Sequence, residues 1–173
     1  MELNEIVKNR YSVRDYSDER ISIELIREII ANASWAPSAK NHQPYQLHLV
    51  EDEKIIENMR MEKIPVFNSH QILVFSYDEN MAWKNKRNNS KPSGEMDTSI
   101  FATYVMLLLW NKGIGSCMVA AFDPSFVKNL LHLDENMTPC LMMPIGYPSK
   151  DSKPLEGFHD KRKDVDEVFK LIS

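Results

Sequence analysis

Two clusters combine cationic side chains with a hydroxyl or an acid at close spacing: Arg10-x-Ser12-x-Arg14 near the start, and Asp160-Lys161-Arg162-Lys163 near the end. Arginine and lysine beside a hydroxyl grip a phosphate through charge-assisted hydrogen bonds, and two such clusters brought together by a fold would hold one phosphate between them. Read alone, each cluster is weak evidence, and solvated loop charge is the simpler reading. The familiar catalytic signatures are missing: there is no GxSxG nucleophile elbow, no GxxxxGK[ST] phosphate loop, no HExxH metal pair and no complete GxGxxG dinucleotide fingerprint. Gly113-Ile114-Gly115 is a fragment of the last, better read as a helix stop followed by a turn. His42, His48, His70, His132 and His159 stand singly, which suits surface or packing positions rather than a metal site.

The elements that must position these clusters are marked by periodicity and by turn residues. Leu3, Ile6 and Val7 follow helical spacing and predict a short amphipathic helix that delivers the chain to Arg10. A second helix is capped by Ser22, buries Ile23, Ile26, Ile29, Ile30 and Ala33, and cannot continue past Pro37. The stretch Ala36 to Pro44 is a loop of polar turn formers between two prolines, followed by a strand over Tyr45 to Val50. A helix is expected over Lys54 to Met61 and a buried strand over Gln71 to Ser76.

Asn80 to Met96, rich in lysine and asparagine, reads as a mobile surface loop. Asp97 then opens the longest helical segment, apolar on more than one side, which ends at Gly113. Strands over Ser116 to Val119 and Cys140 to Ile145 are separated by a helix from Pro124 to Leu131, and a last short helix is expected over Val165 to Ile172. With no internal repeat, the class is α+β or mixed α/β, a small sheet flanked by helices.

Composition bounds the partners. A chain of 173 residues with 43% hydrophobic and 27% charged side chains has the size of one globular domain, 1–173. Its 21 Lys+Arg against 25 Asp+Glu leave a net charge of −4, which argues against broad attraction to nucleic acid or an anionic membrane. Cys117 and Cys140 lie in apolar stretches without a CxxC pair, against an iron–sulfur cluster, a structural zinc site or a disulfide scaffold; one disulfide stays open. The amino terminus lacks an apolar segment of signal-peptide length, and the densest apolar run, Tyr104 to Trp110, is too short to cross a bilayer, so a cytoplasmic location is expected.

Four blocks carry a resemblance: RYSVRDYSDERIS; the segment ANASWAPSAKNHQPYQLHLVED; NKGIGSCMVAAFD; and LMMPIGYPSKDSKPLEGFHDKRKDVDEVF. In order, spacing and chain position they resemble the nitroreductase family of flavin mononucleotide (FMN) enzymes, over nearly the whole length. RxSxR together with APSAxNxQP is the most specific part. The resemblance implies an α+β fold with a mainly antiparallel sheet, an intertwined homodimer, and two FMN sites at its interface, each built from both chains. By similarity Arg10, Tyr11 and Ser12 lie at the FMN phosphate and Arg14 near the pyrimidine edge of the flavin ring, where a fixed cation stabilises the charge of the reduced ring. Pro37, Ser38, Ala39 and Asn41 would reach the ribityl chain and ring of the partner's flavin. Met118, Val119, Ala120 and Ala121 match the segment whose backbone lies along the flavin, and Lys161 and Arg162 match the C-terminal phosphate-binding cations. Two departures stand out: Asp160 replaces a further cation frequent in the family, and Met59 to Asn68 is shortened where other members contact the ring. The 80–96 segment is the candidate lid, with Tyr77 or Trp83 over the flavin.

The chemistry that the resemblance implies is ping-pong transfer: NADH or NADPH reduces flavin N5, leaves, and a nitroaromatic, quinone or related small acceptor is reduced in turn. No obligatory catalytic side chain is needed. The alternatives are a specialised relative (a dehalogenase or dehydrogenase) and a non-catalytic flavin-binding regulatory dimer. A nucleic-acid module is the weakest reading, because the basic loop at Lys84 to Lys91 lacks an aromatic stacking platform.

Overall fold

The run Gln71 to Ser76 is apolar at odd and even positions alike, so as a strand it offers both faces to a core. The computed structural model, which describes residues 2–172, builds the fold around it. In chain order the elements are α1 (Leu3–Asn9), α2 (Ile23–Ala33), a 3-10 turn (Ala39–Asn41), β1 (Tyr45–Val50), α3 (Glu53–Met61), β2 (Gln71–Asp78), β3 (Lys84–Asn85), β4 (Lys91–Pro92), α4 (Gly94–Asn111), β5 (Gly115–Ser116), α5 (Pro124–Leu130), β6 (Met137–Gly146) and α6 (Val165–Val168).

The main sheet has the order β1-β2-β6-β5, and every neighbouring pair is antiparallel. Leu73 and Phe75 of β2 point into one core with Ile26 and Ile29 of α2 and Phe101, Val105 and Leu109 of α4. Ile72 and Val74 point into a second core with Ile56, Met59, Val66, Val127 and Met142. Both faces of the central strand are therefore covered, which is why it carries no alternation of polar residues. This is the expected α+β class with a small antiparallel sheet. Among the described residues no helix is long and apolar enough to cross a membrane.

Local signals explain the boundaries. The Ser22 side chain accepts a hydrogen bond from the Leu25 N–H and caps α2, as expected. Gly113 stops the turn after α4 in the left-handed conformation (φ 76°). Several expectations need correction. Ile23 is 47% exposed, because the first turn of α2 stands off the sheet and leaves an apolar groove lined by Ile23, Ile30, Leu47 and Leu49. Only Ile6 of α1 is buried, and Leu3 and Val7 face outward. α4 begins at Gly94 rather than Asp97, since the Asp97 N–H already donates to the Ser93 carbonyl at 2.8 Å as a bond of its first turn, and Gly94 packs where a Cβ would lie 2.2 Å from the Tyr77 ring. The 80–96 segment is not structureless but carries the hairpin β3–β4. β5 is two residues long, with Val119 pairing as an isolated bridge to Met142. The last helix stops at Val168, and its apolar residues Val165, Val168 and Phe169 all remain exposed. Cys117 and Cys140 are free thiols.

The feature that matters most for the site is how residues 12–16 attach to the sheet. Ser12 bridges Ser116 in parallel, and the Val13 N–H donates to the Ser116 carbonyl at 3.0 Å. Gly115 makes this approach possible, because a Cβ there would fall 2.5 Å from Val13 Cγ2. Three residues on, the buried Tyr16 hydroxyl lies 2.7 Å from the Val13 carbonyl and 3.0 Å from that of Pro144. It donates to these two acceptors, and burial holds its pKa well above the usual phenol value. Tyr16→Phe removes this buried donor and should lower unfolding stability by about 1–3 kcal/mol. Urea denaturation checks it: the midpoint falls while the m-value stays unchanged.

Candidate functional site

The segment Arg10 to Arg14 leaves α1, lies along β5, and ends against Tyr16, so its backbone is held while its long side chains are left to project. The chain's tail reaches the same place. The Tyr11 hydroxyl lies 3.2 Å from both the carbonyl and the Oγ of Ser152, and the Tyr11 ring packs edge-on against Trp110 at 5.3 Å. Beyond Ser152 the tail folds over the cluster, and Arg10, Tyr11, Ser12, Arg14, Leu155, Phe158, His159 and Arg162 line one small pocket of about 100 Å3. Two sequence clusters more than 140 residues apart thus converge, as a shared phosphate would require.

The electrostatics of this pocket are unusual. No carboxylate lines it, and among the described residues none of Arg10, Arg14 and Arg162 forms an ion pair. Arg14 donates Nη1 to the Ser12 carbonyl at 3.0 Å, and Arg162 donates Nη1 to the carbonyls of Phe158 (3.2 Å) and Lys161 (2.7 Å). Burial, and next the repulsion from Arg162, hold the Arg10 guanidinium below its usual pKa. Guanidinium groups set together without a counterion form a site complementary to an anion. Cys117 lies beneath the cluster, and burial pushes its thiol up despite the nearby Arg14, Ser12 and Arg10.

Lys161 is not part of the lining; its ammonium lies beside Gly157, 3.6 Å from where a Cβ would stand. Val119 is buried by its bridge to Met142, whereas Met118, Ala120 and Ala121 are exposed at the strand end. The N–H groups of Ala120 and Ala121 have no partner among the described residues. Exposed backbone beside small side chains is what close contact with a flat ligand requires.

Pro37, Ser38, Ala39 and Asn41 do not line the pocket of their own chain. They sit in a tightly built loop: Lys40, Asn41 and Gln43 take left-handed conformations (φ 55°, 56° and 47°) that non-glycine residues rarely adopt. Ser38 Oγ accepts from the Gln43 N–H at 3.1 Å, closing the loop on itself. Its anchor is Asp97, a fully buried residue of α4. One carboxylate oxygen accepts from the Ala39 N–H at 2.9 Å, and the other accepts from the Ser93 hydroxyl at 2.7 Å. Sequence reasoning used Asp97 only as a helix start; Asp97 and Glu95 share the first turn of α4, and nothing local separates the buried acid from the exposed one. His42 also ties the loop to the hairpin segment, donating from Nδ1 to the Met81 carbonyl at 2.9 Å. Tyr77 packs on Gly94, and Trp83 lies in the hairpin with Asn85, Asn88 and Pro92.

The nitroreductase family profile matches residues 7–65 and 59–147, a span that includes most of the cationic cluster, the strained loop and the strand end. The chain belongs to the nitroreductase family. Its fold agrees closely with a solved nitroreductase family protein from Clostridium difficile, with a TM-score of 0.89 at 25% identity, covering 100% of this chain and 99% of that one. Relatives within the family carry different names. An iodotyrosine deiodinase from Thermotoga neapolitana is 27% identical over 88% of this chain and 91% of its own length. An NADH dehydrogenase from Thermus thermophilus is 25% identical over 84% of this chain and 86% of its own.

Replacing Asp97 tests the anchoring of the loop. Asp97→Ala leaves the Ala39 N–H and the Ser93 hydroxyl without their acceptor and should cost about 1–3 kcal/mol of stability, with faster limited proteolysis between residues 38 and 43. Asp97→Asn keeps one acceptor oxygen and should recover part of both effects.

Proposed function

We propose that this chain is an FMN-dependent oxidoreductase of one domain, 1–173, working as a homodimer with NADH or NADPH as electron donor. The observation that carries the reading is the carboxylate-free pocket in which Arg10, Ser12, Arg14 and Arg162 meet. It fits the phosphate end of FMN by charge, by donor chemistry and by motif. When bound, FMN supplies redox chemistry at N5, accepting hydride from the nicotinamide and reducing a nitroaromatic, quinone or related acceptor.

The chain's own residues bind and orient. Arg10, Ser12 and Arg162 hold the phosphate, with Tyr11 packed behind them and Lys161 close by. Arg14 sets a fixed positive charge near the pyrimidine edge, where it favours the reduced, anionic ring. Met118, Val119, Ala120 and Ala121 offer backbone along the flavin. Pro37, Ser38, Ala39 and Asn41, held rigid by Asp97, serve the site of the second copy, so each site draws on two chains. A loop already ordered loses little entropy when it meets a cofactor. No side chain is assigned as a catalytic acid, base or nucleophile.

Support for the dimer comes from apolar surface that a lone chain leaves in water. Phe169, Leu171 and Ile172 are 63–95% exposed at the end of the tail, and the groove between α2 and β1 is open. The relative named for deiodination favours a second reading within the same chemistry, a reductive dehalogenase. A regulatory flavin-binding dimer is distinguished from both by the absence of rapid reduction by a nicotinamide.

The purified protein should show a flavin absorption spectrum that bleaches when NADH or NADPH is added without oxygen. A colourless chain that takes up no added FMN contradicts the reading. Arg10→Ala and Arg162→Ala should each weaken FMN binding by about 1.5–3 kcal/mol, the worth of a charged hydrogen bond. Unchanged affinity in both, measured by flavin fluorescence quenching, contradicts the phosphate assignment. In sedimentation the FMN-loaded protein should run as a dimer.

A further inference from the structure

The phosphate-binding turn of the tail brings in a residue that neither cluster contains. Residues 155–162 are closed by a Phe158 N–H donating to the Leu155 carbonyl (3.1 Å) and a Gly157 N–H donating to Asp160 Oδ1 (2.9 Å), with Gly157 in the left-handed region (φ 76°). Asp160 is thereby turned onto its own backbone. The same turn carries His159, half-buried, into the lining beside Arg10 and Arg162. The Tyr11 ring holds the imidazole edge-on at 6.5 Å, and among the described residues neither ring nitrogen has a hydrogen-bond partner. The other lining groups are Tyr11, Ser12, Arg14, Leu155 and Phe158, so every formal charge facing His159 within the pocket is positive.

This arrangement leaves a donor where an anion would sit. The imidazole of His159 lines the pocket with the guanidinium groups of Arg10 and Arg162, and a ring N–H donates to a phosphate oxygen whichever nitrogen carries the hydrogen. We propose that His159 is a further phosphate-binding residue of this pocket, donating to the phosphate group of the ligand beside Arg10 and Arg162. The inference rests on the FMN reading given above and adds to it a residue. Its consequence is that His159 contributes to the affinity for FMN, while riboflavin, which has no phosphate, binds without that contribution.

Affinities of the apoprotein for FMN and for riboflavin, read by flavin fluorescence quenching, test it. His159→Ala should weaken FMN binding about five- to ten-fold, as expected on losing one hydrogen bond, and leave riboflavin binding unchanged. His159→Gln, which keeps a side-chain N–H donor, should recover part of the FMN affinity, and this guards against a merely structural loss. Unchanged FMN affinity in His159→Ala, or an equal loss for FMN and riboflavin, overturns the assignment. Arg10→Ala and Arg162→Ala report separately on the FMN reading, and a wild-type chain with no affinity for FMN overturns both.

Discussion

The close approach of residues 12–16 to the short edge strand is the constraint on which the rest depends. A segment that follows a seven-residue helix has little intrinsic reason to hold one conformation, since short helices are marginal and loops are costly to order. Here it is held by the Ser12–Ser116 bridge, by the Val13 N–H on the Ser116 carbonyl, and by a buried tyrosine hydroxyl that reaches Val13 and Pro144. Gly115 and Gly146 are the sequence signature of that packing: a Cβ at Gly115 would strike Val13, and one at Gly146 would lie 2.9 Å from the Tyr16 ring. The arginines on either side inherit this rigidity. A fixed backbone is what turns flexible guanidinium side chains into a site of defined geometry.

The same rigidity makes the pocket electrostatically unfavourable by itself. Side chains that could turn into water instead meet at one place with no carboxylate, and the depressed pKa of Arg10 reflects both its burial and the facing Arg162. Structural ion pairs are available in this protein, as between Arg20 and Glu53 at 2.8 Å, and they occur away from the pocket. Arginines left unpaired in this way add no ion-pair stability to the fold, and their grouping is complementary to an anion. The strained 40–43 loop follows the same logic: left-handed lysine, asparagine and glutamine cost about 1–2 kcal/mol each, and they persist because Asp97 and Ser38 fix the backbone around them.

Elements governed by local chemistry were legible in the sequence. The Ser22 cap, the Gly113 stop, the doubly apolar β2 and the proline-bounded loop before β1 depend on residues within one or two turns of each other. What the sequence hid was non-local. Ile23 fits the apolar stripe of α2 as well as Ile26 does, yet only packing geometry decides that Ile23 lines an open groove while Ile26 is buried. Val165 to Ile172 has the composition of a helix, but with nothing packed on its apolar side chains the helix runs only to Val168. In the site, the two cationic clusters were visible, whereas their convergence depended on a tail that crosses the molecule. His159 was one of five scattered histidines; the one signal that set it apart was its place directly before the charged run that begins at Asp160.

Asp97 and His159 illustrate why such residues escape a motif search. Neither belongs to a spacing pattern, and each meets a partner distant in sequence: Asp97 accepts from the amide of Ala39, and His159 lines the same pocket as Arg10. Motifs record groups whose partners are local or whose ligand is shared by many proteins. Residues that hold a loop in a strained shape, or add a donor to a pocket, are specified by the three-dimensional surroundings that make an unpaired amide or an uncompensated cation unfavourable. The Ala39 amide of the proline-bounded loop finds its acceptor at the head of α4, 58 residues on.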